Sequence, residues 1–121
     1  MFRPMRRTNR AISEEAAKQL LEQSRRGVLA VNGDDGYPFA FPVNYCYDRE
    51  NAKIYFHGAK TGQKVDALKK SDKVCFTVYG NEHFEPGDWA PYMQSTVVFG
   101  RCRLIEDAAV TEAKVRELAA K

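Results

Sequence analysis

Three cysteines, two histidines and one tryptophan in 121 residues leave little room for several common chemistries. Cys46, Cys75 and Cys102 lie far apart, with no C-x-x-C spacing and no paired histidines nearby, which excludes a standard zinc site and gives an expectation of no metal. An odd cysteine count inside strand-like runs reads as buried free thiols in a reducing compartment, or as a thiol touching a cofactor. No apolar run approaches the length of a membrane span. The arginine-rich start, MFRPMRRTNR, leads into an amphipathic helix and not into an apolar signal core. These absences predict a cytoplasmic protein without a membrane partner. Excess charge is also small: 19 Lys and Arg against 16 Asp and Glu leave a net charge of +3, and the basic residues form no single stripe of the kind a nucleic-acid binder needs.

What is present is a folded composition, 44% hydrophobic and 12% aromatic. The length fits one domain over residues 1–121, with residues 1–10 as an arm that is loose or laid across a partner subunit. A core of this size gains from burying surface against a second copy.

Ser13 is placed to cap a helix whose first turn holds Glu14 and Glu15, with Ala17, Leu20, Leu21 and Ser24 on its apolar face. GVLAVN reads as a buried strand, and NGDDG at 32–36 is a hairpin signal. In YPFAFPVNYCYD, Tyr37, Phe39, Phe41, Val43, Tyr45 and Tyr47 share one face, while Pro38, Ala40, Pro42, Asn44, Cys46 and Asp48 share the other. Pro38 and Pro42 cannot donate to a ladder, so this strand must lie partly at an edge or carry a bulge. Near Asn44, such a gap lets main-chain groups bond a ligand in place of a neighbouring strand.

DREN closes a second hairpin into KIYF. DKVCFTVYG gives a further strand, residues 80–92 an irregular segment, and QSTVVFGRCRLIED a long last strand. DAAVTEAKVRELAAK reads as a third helix. Within the irregular segment, Trp89 could lie against a planar ligand or seal the core, and His83 reads as an exposed loop residue. With hairpins and no repeated strand-helix-strand unit, the order favours a mainly β fold. We expect a small antiparallel barrel of five to six strands with three peripheral helices, and not a doubly wound sheet.

The chemistry concentrates in KIYFHGAKTGQKVDAL, where a strand passes through GAKTG into a helix bearing Val65 and Leu68 on one stripe. A turn of this kind aims backbone N–H groups and the positive end of a helix dipole at one point, suited to an anion. Lys60 and Lys64 flank it, and Thr61 can cap the helix or give its hydroxyl to an oxygen. The alternative is a plain tight turn with two solvated lysines. A nucleotide P-loop is excluded by spacing: Gly58 and Gly62 enclose three residues and not four, and Val65 stands where the metal-binding hydroxyl belongs.

Taken together, GVLAVNGDDGYPFAFPVNYCYD, KIYFHGAKTGQKVDALKKSDKVCFTVYG and STVVFGRCRLIED resemble the pyridoxamine 5′-phosphate oxidase-like, FMN-binding split-barrel family, closest to its nitroimidazole-resistance (Nim) reductase branch. The resemblance covers roughly residues 7–107. It implies a homodimer with FMN in the clefts between subunits. Pro42, Val43 and Asn44 would meet the flavin ring through main-chain groups, Tyr55 to His57 would follow the ribityl chain, and Lys60, Thr61, Gln63 and Lys64 would gather at the phosphate.

On this resemblance Trp89 or His57 would border the open face of the ring, and Ser95 would approach the flavin from the partner chain or support the cleft. His57 is the candidate acid or base, although a lone histidine at a strand end is more often structural. The implied activity is reduction of small electron-poor acceptors, nitroaromatics or quinones, with electrons from a transiently bound NAD(P)H. A flavin-storing or sensing module, or a haem protein with His83 as axial ligand, are the alternatives. Gly62 and Gln63 interrupt the basic pair usual in the phosphate turn, and Tyr92 stands three residues before Ser95 where relatives place it closer. No counterpart of the parent oxidase's C-terminal substrate-binding segment precedes Lys121, so oxidation of pyridoxamine phosphate is not implied.

Overall fold

A computed structural model describes residues 2–6, 10–57, 62–87 and 89–105. The third helix expected after residue 106 lies outside these residues. The first helix, α1 (Glu14–Gln23), starts as its sequence requires: the Ser13 hydroxyl accepts from the Ala16 N–H at 3.0 Å, with Glu14 and Glu15 in the first turn. It stops at Ser24, whose N–H and hydroxyl both donate to the Leu20 carbonyl.

Five strands follow: β1 (Arg26–Asn32), β2 (Pro38–Asp48), β3 (Lys53–Phe56), β4 (Lys73–His83) and β5 (Tyr92–Arg101), with α2 (Gln63–Lys70) between β3 and β4. They form one antiparallel sheet in the order β3-β2-β1-β4-β5. Three hairpin-linked strands with the fourth returning beside the first make a Greek key, and α2 lies in the long return, against β1. The NGDDG turn tightens through a 3-10 segment, Asp34–Gly36, with Asp35 at φ 57° and Gly36 at φ 78°. In the second hairpin the Asp48 carboxylate accepts from both the backbone and the side chain of Asn51.

The core lies between the inner face of the sheet and α1. Leu20 and Leu21 pack with Leu29, Val31, Phe41, Tyr45, Ala67, Phe76 and Val78, all nearly free of solvent. The alternation of β2 is realised from Phe39 onward, whereas Tyr37 falls outside the strand and is exposed. Cys46, on the opposite parity, is nevertheless buried, because β3 begins to pair there and sets Tyr55 opposite it. The Tyr45 hydroxyl donates to the Leu21 carbonyl at 2.5 Å, satisfying an acceptor that the end of α1 leaves orphaned. Burial pushes this phenol up to about 12, and a hydrogen bond with Ser24 works in the opposite direction.

Two strand boundaries differ from expectation. β4 runs on to His83, because Asn81 takes a left-handed conformation (φ 54°) in a bulge and its side chain donates to Gln94 Oε1 at 2.7 Å, so pairing resumes at His83↔Tyr92. His83 is therefore an exposed strand residue and not a loop residue. β5 ends at Arg101, short of the expected run to Asp107.

Candidate functional site at the open edge of the second strand

β3 pairs with β2 only from Tyr45 to Asp48. Among the described residues, Pro38 to Asn44 therefore has a strand on one side alone, β1, and the missing donors of Pro38 and Pro42 are tolerated there. The expectation of a partly edge-like strand holds. The consequence is a row of main-chain groups at Pro42, Val43 and Asn44 that face no strand on one side.

Two elements meet this edge. β3 ends at Phe56, opposite Tyr45, which brings exposed His57 to the level of Asn44, and Tyr55 sits one pair further in, opposite Cys46. The first turn of α2 carries Gln63 and Lys64, both exposed. The Lys64 ammonium lies over the ring of Phe41, 4.4 Å from its centroid, a contact between the first turn of α2 and the residue before Pro42. The helix is capped by Gly62 at φ 125°, a conformation suited to glycine. Thr61 thus stands one residue before the cap and is not the cap itself; Thr61 and Lys60 lie outside the described residues.

Ser95 is not brought to this group within one chain. Ser95 is exposed on β5, opposite Tyr79, and along the sheet β5 is three strand spacings from β2, roughly 14 Å. Trp89 follows β4 in the β4–β5 connection and is 93% exposed. His83 has both ring nitrogens engaged, Nδ1 with the Asn81 carbonyl and Nε2 with Glu85 Oε1, each at 3.1 Å, and its ring stacks on Tyr92. The Asn81 bond raises its pKa most, loss of solvent opposes this, and Glu85 adds to the rise.

One residue that the sequence reading missed enters here. Arg26 Nε donates to Asn44 Oδ1 at 2.9 Å, across the β1–β2 pair in which the two are directly opposite. Only the register reveals this partnership, since eighteen positions separate them.

The outer face of the sheet forms the floor beside this edge. Val28, Tyr79, Val97 and Phe99 all expose large apolar surface there, together with Ala40 and Pro42. Phe2 of the N-terminal arm stacks on Phe99, with centroids 4.8 Å apart. An apolar face of this extent on a small sheet marks an interaction surface. None of the three cysteines is in a disulfide. Among the described residues there is no cluster of metal-ligating side chains, and no helix is long and apolar enough to cross a membrane.

A family model described as pyridoxamine 5′-phosphate oxidase matches residues 13–121. Among solved structures, the chain is similar to a provisionally assigned 5-nitroimidazole antibiotic resistance protein from Bacteroides thetaiotaomicron (TM-score 0.78, 18% identity, 89% of this chain and 65% of that one). It is also similar to an FAD-binding protein from Mesorhizobium loti (0.69, 23% identity, 88% and 70%) and to the flavocytochrome Anf3 from Azotobacter vinelandii (0.72, 23% identity, 88% and 50%). The chain thus spans 65% of the first of these structures and half of the third. A search among functionally curated proteins returned no match. These likenesses carry the fold, and the mainly β, split-barrel architecture expected from the sequence stands.

Proposed function

Because the chain belongs to the pyridoxamine 5′-phosphate oxidase family, we propose that it is a flavoprotein in which two copies hold FMN in the seams between them. We further propose that it reduces small electron-poor acceptors of nitroaromatic or quinone type, with electrons from a nicotinamide that binds only transiently. The observation that carries the reading is the unpaired edge at Pro42–Asn44, next to the start of α2 and opening onto an apolar sheet face. A planar heteroaromatic ring with hydrogen-bonding edges needs such a combination: main-chain groups without a strand partner, beside apolar floor.

The residues present fit the cofactor. Main-chain groups of Pro42 to Asn44 would bond the ring edge, and Tyr55 and His57 would line the path of the ribityl chain. The start of α2, with Gln63 and Lys64, would meet the phosphate through free N–H groups and positive charge, joined by Lys60 and Thr61. FMN, when bound, supplies the hydride chemistry; the chain's task is to orient the ring and keep one face accessible. Since Ser95 lies three strands from Asn44 in one chain, its proposed contact with the cofactor requires a second copy. The exposed apolar face of Val28, Val97 and Phe99 supports pairing of two sheets there.

The presence of FAD-binding and flavocytochrome structures among the similar folds supports a flavin; that the flavin is FMN is part of the proposal. A haem reading through His83 loses support, because both ring nitrogens are already engaged. The test is anaerobic rapid mixing of the FMN-loaded protein with NADH or NADPH. Bleaching of the flavin band, then recovery on adding a nitroaromatic or a quinone, is expected. A flavin that binds tightly yet accepts electrons from neither donor would leave a storage or sensing module in place of a reductase.

A further inference from the structure

Arg26 is exposed, but the backbone beside it is closely packed. The next residue, Gly27, is buried, and a Cβ built there would stand 2.2 Å from the tip of the Phe76 ring. That ring is itself packed edge-on against Tyr45, with centroids 4.8 Å apart, so it has no room to yield. The start of β1 is thereby pressed onto the core, and the outward direction of Arg26 is set by strand parity.

A guanidinium has donors only, so the Asn44 atom it meets must be the carbonyl oxygen. The Asn44 amide therefore cannot rotate by half a turn without setting N–H against N–H. Its Nδ2 hydrogens are turned away from Arg26. Among the described residues no protein acceptor is seen for them, nor for the terminal guanidinium nitrogens. Beside the unpaired Pro42–Asn44 edge, the pair thus offers a cluster of donors carrying one positive charge, with the Asn44 side-chain acceptor already used.

Isoalloxazine has one edge that matches this pattern. The pyrimidine edge at N1 and the C2 carbonyl is all acceptor, whereas N3–H is a donor that an Asn44 carbonyl would have bound in the opposite amide orientation. FMN, if bound and reduced by a hydride donor that is itself oxidised, would take up two electrons and one proton and so carry an added negative charge on this acceptor edge. We propose that Arg26 is a positioning residue that locks Asn44 as a donor toward this edge and stabilises the charge it gains on reduction. The inference rests on the flavin reading above and specifies which edge of the ring lies against Asn44.

The test measures the midpoint potential of bound FMN, and its affinity in both redox states, for wild type, Arg26→Gln, Arg26→Lys and Arg25→Gln. Arg26→Gln is expected to weaken reduced FMN about tenfold more than oxidised FMN, the scale of one charge-assisted hydrogen bond. For a two-electron couple this lowers the potential by about 30 mV. Arg26→Lys is expected to recover part of the potential, because charge remains while the Nε bond that orients Asn44 is lost. Arg25→Gln, on the neighbouring arginine, should match wild type. Equal potentials and equal affinities in wild type and Arg26→Gln, with unchanged apo melting temperature, would overturn the inference alone. Wild-type protein that binds no FMN would overturn the flavin reading, and this inference with it.

Discussion

The two faces of the sheet use the same kinds of residue to opposite ends. On the inner face, Leu29, Phe41, Tyr45, Phe76 and Val78 are sealed by α1, and the polar Tyr45 hydroxyl has its acceptor at the end of that helix. On the outer face, Val28, Val97 and Phe99 are comparably apolar and no helix of the described chain covers them; the arm reaches only Phe99 through Phe2. The inner face accounts for why one chain folds. The outer face accounts for why, in our reading, one chain is not the functional unit: Ser95 and Asn44 share this face but stand three strands apart, and a second sheet laid against the first is what would bring a serine of one copy to the asparagine of the other.

This contrast can be broken by substitutions on either side. The largest effect on folding is expected for Leu29→Ala, which removes a fully buried side chain at the centre of the inner face and should cost about 2–5 kcal/mol in urea unfolding. Val97→Glu, at a half-exposed outer position, should leave the melting temperature of the apo monomer close to wild type. It should nevertheless abolish dimerisation and weaken FMN at least about tenfold, because an unpaired carboxylate would be buried in the seam. If Val97→Glu instead unfolds the chain and Leu29→Ala does not, the assignment of the two faces is reversed.

Tyr45→Phe should cost about 1–2 kcal/mol, since it leaves the Leu21 carbonyl buried without its donor. The effect carries a pH signature. The folded state raises the phenol from 10.0 to about 12, so it holds the proton more tightly than the unfolded chain does. That contribution is complete below pH 10 and is lost as pH rises through about 12, so the wild-type advantage over Tyr45→Phe should shrink across this window. The smallest effect is expected at His83, exposed on the β4 end with its pKa raised by Asn81 and Glu85. Its contribution is present below the ordinary histidine value of 6.5 and fades as pH rises through the raised one. His83→Gln should remove the ring titration seen by NMR while leaving FMN affinity unchanged.

The inner face was legible in the sequence because its signals are local. The period-two run of β2, the NGDDG turn and the Ser13 cap each state their structure within a few residues. The end of β4 was not legible, since Gly80, Asn81 and Glu82 have turn composition and only the Asn81 bond to Gln94 returns the strand to register. Thr61 was expected as a possible cap for a similar reason: Gly62 has no side chain to announce the role, and its φ of 125° appears only in the fold. The candidate site divides the same way. Pro42 and Asn44 could be picked out from the prolines in their own strand, whereas the Arg26–Asn44 bond depends on a pairing between strands that no local pattern encodes.

Light scattering on a sizing column, with protein and flavin absorbance read in line after incubation with FMN, tests the central claim most directly. The account predicts a dimer that carries about one FMN per chain, and a colourless monomer for Val97→Glu. A wild-type chain that elutes as a monomer with no flavin, at protein and FMN concentrations well above those of ordinary flavoprotein binding, would contradict it.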